Sequence, residues 1–453
     1  MLKLLGVKNR STRFFVKIIF MILASTPTAK AANTDSGGQP LKIEFWHSMT
    51  GEKGLLLKEI VDDFNAQSSS PKTQVVMQFI GSYEEGLNKL RTALIADRGP
   101  NIVQITDVGT QVMIDSQAIT PLQNFIDKDP DFPIALLLPQ IRHYYEVQGK
   151  LYSLPFATSN PVLYYDADAL KKAGIDHPPT TFAELDADAL KLSDAKTKTY
   201  GLTWPLDSWL LEQFMARQGA DFILPDNGRN GRGLEANYLS PEAIAFVSLW
   251  QKMVANGSFA NVGRGWDPPE QNFLAGRVKM FITSTSDIFE VLKQAPFRLG
   301  TAPIPTRDPS VKGGTIVGGN SLWLMKKKSN EEEMASYRFL KFMASSATQE
   351  KWHTHTGYFP IRSDVIDKLK AQGFYEKYPV AWTAIEQLRN SPDLPATRGA
   401  MMGAFPEARE HVMSAIEEVI SGRSTTEAAM KKAKLKTDFS LTRYRRGGGS
   451  TPK

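Results

Sequence analysis

Residues 41–109 place the tightest constraint on the fold. Leu41-Lys42-Ile43-Glu44-Phe45-Trp46 alternates apolar with polar residues, the pattern of a half-buried strand. Gly51 breaks the pattern, and Leu56, Ile60, Val61 and Phe64 then recur at helical spacing. Residues 73–80 read as a second strand. Gly81-Ser82 turns into a helix carrying Leu87, Leu90, Leu94 and Ile95, and residues 101–105 form a short apolar strand ending at Thr106-Asp107-Val108-Gly109. Strand, helix, strand, helix, strand predicts an α/β unit with a mostly parallel sheet. In such sheets ligands bind just past the carboxyl ends of the strands. Three polar tips fall there: Trp46-His47-Ser48, Ser82-Tyr83-Glu84 and Thr106-Asp107.

The rest of the chain supplies a second unit of the same kind. Residues 151–156 and 161–165 read as strands, interrupted by Ala157-Thr158-Ser159-Asn160 between two prolines, which suits a rigid crossing. A helix over 182–192 has Thr181 as its N-cap and Glu184 three residues on. Ser240-Pro241 opens another, with Pro at the first helical position. Strands follow over 276–283, ending at Thr283-Ser284-Thr285-Ser286, and over 321–325. Ser329-x-x-Glu332 caps a helix bearing Met334, Tyr337, Leu340 and Phe342, and Gly357-Tyr358-Phe359-Pro360 then forms a connection between rigid elements. A chain that crosses between two units more than once leaves a cleft between them, where hinge closure can sequester a small ligand. The first lobe is expected over 39–155 plus 320–364 and the second over 156–319 plus 365–440, with a flexible tail over 441–453.

The N-terminus bears on compartment. Lys3, Lys8, Arg10, Arg13 and Lys17 precede a short apolar run, and Ala29-Lys30-Ala31 supplies a small-x-small cleavage site. Residues 1–31 are therefore expected to be a secretory signal peptide. The formal charge of the 453-residue chain is +6, and this segment holds six basic residues and no acidic one, so the mature chain is near neutral. Nothing in that balance argues for nucleic acid or membrane as a partner. There is no cysteine, which excludes thiol catalysis, disulfides, Cys-based metal sites and a lipid anchor on an N-terminal Cys. An exported, unanchored protein is expected in the periplasm.

Catalytic signatures are missing. There is no Walker A sequence, no Gly-x-Gly-x-x-Gly opening a helix after a strand, and no Gly-x-Ser-x-Gly elbow. His353-x-His355 lacks the companion motif of a metal site, and surface or second-layer histidines are the better reading. Carboxylate pairs for glycoside hydrolysis are not local in sequence and stay open as an alternative. The balance points to a binding protein that uses no cofactor or metal, rather than an enzyme.

Four runs carry a family resemblance: Ile43-Glu44-Phe45-Trp46-His47-Ser48-Met49, Pro155-Phe156-Ala157-Thr158-Ser159-Asn160-Pro161-Val162-Leu163-Tyr164-Tyr165, Ile316-Val317-Gly318-Gly319-Asn320-Ser321-Leu322-Trp323 and Trp352-His353-Thr354-His355-Thr356-Gly357-Tyr358-Phe359-Pro360-Ile361. On these the chain resembles the extracytoplasmic solute-binding proteins of ABC importers, in the carbohydrate-binding group that includes the maltose-binding protein, and within it the glycerophosphate binders. The resemblance implies a two-lobed α/β periplasmic binding protein fold of type II, each lobe a mostly parallel sheet flanked by helices. It also implies a monomer that captures a glycerol phosphate or glycerophosphodiester and delivers it to a permease pair driven by a cytoplasmic ATPase.

The resemblance further implies a set of ligand residues. Tyr83, Ser159, Ser284, Gly319, Tyr358 and Arg409 match ligand positions of the family, with Arg409 on the phosphate side. An Arg fork gives a phosphate two charge-assisted bonds in one plane. Asp107 stands where the family has Glu. Trp209 matches the second of two pocket tryptophans, while the first aligns with Leu206, or with Trp204 if a gap is shifted. Loss of an indole wall at Leu206 would widen the pocket toward a diester such as glycerophosphocholine. A neutral oligosaccharide binder of the same fold is the main alternative, and a secreted glycoside hydrolase or phosphodiesterase a weaker one.

Overall fold

A computed structural model describes residues 40–68, 72–327 and 329–447. The expected signal peptide lies outside the described residues. Among the described residues, no helix is long and apolar enough to cross a membrane.

Nine strands build two sheets. They are β1 (Leu41–His47), β2 (Thr73–Phe79), β3 (Ile102–Thr106), β4 (Leu154–Ser159), β5 (Pro161–Asp166), β6 (Tyr200–Thr203), β7 (Val278–Ser284), β8 (Leu299–Ala302) and β9 (Gly318–Leu324). The first sheet runs β2-β1-β3-β9-β4 and the second β8-β5-β7-β6. The two-lobed α/β architecture is the expected one, but the sheets are mixed rather than mostly parallel. In the first, β1 pairs in parallel with β2 and β3, whereas β9 is antiparallel to both β3 and β4. In the second, only β7 and β6 run parallel. The reason is topological. The strands of a local βαβ unit must run parallel, but β9 enters the first sheet from the far end of the second lobe and comes in reversed.

The strand limits also move the crossings. β4 remains in the first sheet through Ser159, and β9 joins it from Gly318. We therefore place the passages between lobes at Asn160 and just before Gly318, a few residues from the sequence-based boundaries. Asn160 fixes its crossing to the tip of β7: its carbonyl accepts the Thr285 N–H at 2.9 Å, and its own N–H donates to Thr285 Oγ1 at 3.3 Å. The Phe359 N–H donates to the carbonyl of Thr158 at 2.8 Å, tying the Tyr358 connection to the same place.

Local sequence signals account for several helix starts. Thr181 and Glu184 form a reciprocal capping box for Phe182–Lys191, and Ser240 caps Pro241–Ala255 with Pro inside the first turn. Phe405–Ile420 likewise starts with Pro in its first turn. Trp204, fully buried, packs among Phe214, Phe246, Trp250 and Phe259 in the core of the second lobe.

The expected flexible tail over 441–453 is corrected in its first half. Helix Thr426–Arg446 continues through it because Leu441 is buried and Tyr444 packs against Gly403, where a Cβ would lie 1.9 Å from the ring. The Tyr444 hydroxyl donates to Asp115 Oδ2 at 3.0 Å, and Arg232 reaches the same carboxylate at 3.1 and 3.3 Å. Asp115 ends helix Thr110–Asp115, which follows β3, so these bonds join the first lobe to the second. Residues 448–453 lie outside the described residues.

Candidate functional site

Tyr83 opens helix Tyr83–Ile95, where Ser82 and Glu85 satisfy one another's backbone N–H groups in a capping box. Its hydroxyl accepts from Asn320 Nδ2 at 3.0 Å, and the Tyr358 hydroxyl lies near both it and Ser286. Burial pushes the Tyr83 phenol well above its ordinary range and that of Tyr358 up to about 12, so both are neutral donors and acceptors. Tyr358 is buried, as packing alone would require, and its ring stacks on Trp352 at 5.7 Å. Its hydroxyl, however, lies in a network of phenols and hydroxyls.

Behind Tyr358, His353 Nδ1 donates to the Tyr358 carbonyl at 2.7 Å, which leaves Nε2 to accept from the Tyr375 hydroxyl at 3.2 Å. Burial holds His353 down to about 4, against the pull of that carbonyl. His353 is thus a second-layer residue. His355 is exposed, with Nδ1 on the Lys351 carbonyl.

The start of β9 needs glycine twice. Gly319 has φ +106°, and a Cβ there would stand 2.0 Å from the Ala157 carbonyl oxygen. A Cβ on Gly318 would stand 2.8 Å from the indole of Trp209. Trp209 lies 5.8 Å from Trp266, and its own N–H donates to Asp207 Oδ1 at 2.7 Å, so Asp207 caps helix Ser208–Ala216. Ser159, buried, faces Gly318 in register. Ser284 is the least committed member. Its Oγ accepts the Ser286 N–H at 3.1 Å, a local capping bond of the kind single serines usually make.

Arg409 joins the two lobes. It projects from helix Phe405–Ile420 toward Asp107, which lies just after β3. Nη2 is 3.5 Å from Asp107 Oδ2 and 3.6 Å from Glu212 Oε2, and Nη1 is 3.8 Å from Asp207 Oδ1. These separations exceed the roughly 2.7–2.9 Å of a close charge-assisted bond. Nε is buried with no hydrogen-bond partner among the described residues. Burial opposes the guanidinium charge, but Asp107, Asp207 and Glu212 outweigh it and keep the group charged. Asp107 Oδ1 meanwhile accepts from Thr106 Oγ1 at 2.9 Å and from the Val108 N–H at 2.8 Å, and Thr106 Oγ1 also contacts the Gly319 carbonyl at 3.3 Å.

The eight residues singled out from sequence therefore fall on one connected set. Ser284, Ser286, Tyr358, Tyr83 and Asn320 form one run of neighbours, and Gly319, Asp107, Arg409, Asp207, Trp209, Gly318 and Ser159 form another. Sequence reading missed Asn320, Ser286, Asp207, Tyr145 and Glu212. Tyr145 has a buried hydroxyl with no partner among the described residues. Glu212 had a legible signal, since Ser-Trp-Leu-Leu-Glu-Gln-Phe-Met-Ala is a helix apolar on nearly every side, and such a helix has no bland use for an acid. Leu206 is buried, with its N–H on the Gly263 carbonyl, two residues before the start of the helix that carries Trp209. Trp204, in the core, is not a pocket wall.

A two-lobed fold with a polar, aromatic and cationic set of side chains at the junction defines a ligand-capturing protein. The chain belongs to the bacterial extracellular solute-binding proteins, whose family model matches residues 59–381. It is 34% identical over 412 residues to the sn-glycerol-3-phosphate-binding periplasmic protein UgpB of Escherichia coli (strain K12), covering 89% of this chain and 93% of that one. The protein of the same description from Salmonella typhimurium is also 34% identical, over 418 residues, 90% of this chain and 94% of that one. Among solved structures, UgpB from Mycobacterium tuberculosis in complex with glycerophosphocholine superimposes with a TM-score of 0.75 at 22% identity, covering 90% and 99% of the two chains. The substrate-binding protein Lmo0181 from Listeria monocytogenes in complex with cycloalternan gives 0.74 at 21% identity, covering 89% and 100%. These structural likenesses concern the fold.

Proposed function

We propose that this protein captures a glycerol phosphate or a glycerophosphodiester in the periplasm, as the substrate-binding component of an ABC importer, and does no chemistry on it. Arg409 carries the reading. A charged guanidinium whose buried Nε has no hydrogen-bond partner among the described residues, loosely shared between carboxylates, is arranged to accept an anionic group. Tyr83, Ser159, Ser284, Tyr358 and Asp107 supply partners for glycerol hydroxyls, and Trp209 supplies an apolar wall. Binding contacts from both lobes would drive closure, and the closed form would be what a membrane permease pair recognises. The names of the relatives point the same way.

A neutral oligosaccharide is the second reading. It is favoured by one observation: three carboxyl groups surround Arg409, and carboxylates accept sugar hydroxyls well. Calorimetric titration with sn-glycerol-3-phosphate, glycerophosphocholine and maltose, followed by product analysis, separates the cases. Binding of a phosphate compound without turnover, lost in Arg409→Ala, supports the proposal. Binding of maltose alone, insensitive to Arg409→Ala, supports the second reading. Formation of product refutes both.

A further inference from the structure

Glu212 is a buried acid in the middle of a helix whose nine residues are all buried. One carboxyl oxygen accepts the Ala400 N–H at 2.8 Å, and the other faces Arg409 Nη2 at 3.6 Å. The charged and titratable groups around it come from several elements: Arg409 from helix Phe405–Ile420, Asp107 from the turn after β3, Arg229 from the excursion before residue 235, Tyr144 from helix Pro139–Tyr145, and Tyr238. Asp207, at the start of Glu212's own helix, shares Arg409 with it. Arg229 spends its donors on the carbonyls of Gly399, Tyr144 and Arg398. Three carboxyl groups thus stand against two guanidiniums, and of these two Arg409 keeps a buried donor, Nε, with no hydrogen-bond partner among the described residues.

An anion that reaches Arg409 enters this surplus of acid groups. A phosphodiester brings a single negative charge, whereas a phosphomonoester brings about −1.5 to −2 near pH 7. In a buried site of effective dielectric near 20, an extra charge within about 7 Å of a carboxylate weakens binding by about tenfold or more. Resting on the glycerol phosphate reading above, we propose that Glu212 is a specificity-determining residue whose charge beside Arg409 makes the site prefer singly charged phosphodiesters to doubly charged phosphomonoesters. Burial also pushes the Glu212 carboxyl up to about 7, so near neutral pH it is poised to take up a proton when a second negative charge arrives.

The test is calorimetry on the full mature chain with glycerophosphocholine and sn-glycerol-3-phosphate at pH 5.5 and 8.0, for wild type and Glu212→Gln. Gln preserves the shape and the acceptor for the Ala400 N–H. In the wild type the preference for the diester should widen by about tenfold or more as pH rises, because the monoester gains its second charge. In Glu212→Gln at pH 8.0 it should shrink by a similar factor. A measurement that does not depend on the variant's folding repeats the wild-type titrations at pH 7 in buffers of different ionisation enthalpy. More protons should be taken up with the monoester than with the diester. A preference independent of pH in the wild type, or a Glu212→Gln variant that weakens both ligands equally, would overturn the proposal and leave Glu212 a packing residue. Failure of both phosphate compounds to bind the wild type would instead refute the ligand reading beneath it.

Discussion

Acid should weaken this protein through one imidazole, and the size of the effect can be worked out in advance. His353 is only 2% exposed, with both ring nitrogens committed in the neutral form. Burial lowers its pKa from 6.5 to about 4. Between those values the unfolded chain binds a proton that the folded chain refuses, so stability rises with pH across the window and is lost as pH falls from about 6.5 toward 4. The gap of about 2.5 pH units, at 1.36 kcal/mol each, amounts to about 3 kcal/mol. Glu212 acts with the opposite sign. Its folded pKa is raised from 4.5 to about 7, so its contribution diminishes stability as pH rises through that range. The wild-type curve mixes these terms, and the clean quantity is a difference between proteins. Urea unfolding followed by tryptophan fluorescence, at pH 7 and pH 4, should show wild type losing about 3 kcal/mol more than His353→Gln. Equal losses in the two proteins would refute the assignment of this acid sensitivity to His353. The proton would enter at Nε2, so acid should break the bond that Nε2 accepts from the Tyr375 hydroxyl and leave the Nδ1 bond to the Tyr358 carbonyl in place.

Two further outcomes test the geometry. Gly319→Ala should cost about 2–4 kcal/mol in urea unfolding, from a positive φ and a Cβ 2.0 Å from the Ala157 carbonyl, whereas Gly51→Ala, with positive φ but open space, should cost about 1 kcal/mol. Trp204→Leu should lower stability by about 3 kcal/mol and leave ligand preference unaltered, whereas Leu206→Trp should shift preference toward the smaller monoester in competition calorimetry.

Much of the fold was legible because its strands and helices begin with strong local signals. The alternation at 41–46, the Thr181–Glu184 capping pair and the Ser240-Pro241 helix start each have a local physical meaning and each appears where expected. The direction of β9 was not legible, because strand polarity depends on which lobe the chain arrives from, and no residue in β9 encodes that. The end of the last helix was misread for a similar reason: Arg445-Arg446-Gly447 looks like a tail, and the burial of Leu441 and the packing of half-buried Tyr444 depend on partners far away in sequence. Within the site, the residues singled out from sequence are those carried by motifs. Asp207 and Asn320 were missed, although each stands beside a residue that was named, because their roles arise only when Arg409 and Tyr83 are brought to them.

The bond between Tyr444 and Asp115 spans 329 residues of chain. Contacts of that separation carry a large loop-closure cost and form late in folding, after nearby contacts have reduced the entropy still to be lost. Asp115 therefore stays without its Tyr444 contact until nearly the whole polypeptide is present. A chain that stops short of Tyr444 can complete the first βαβαβ unit but lacks this link, and Arg409 with Asp107 then holds the lobes without it.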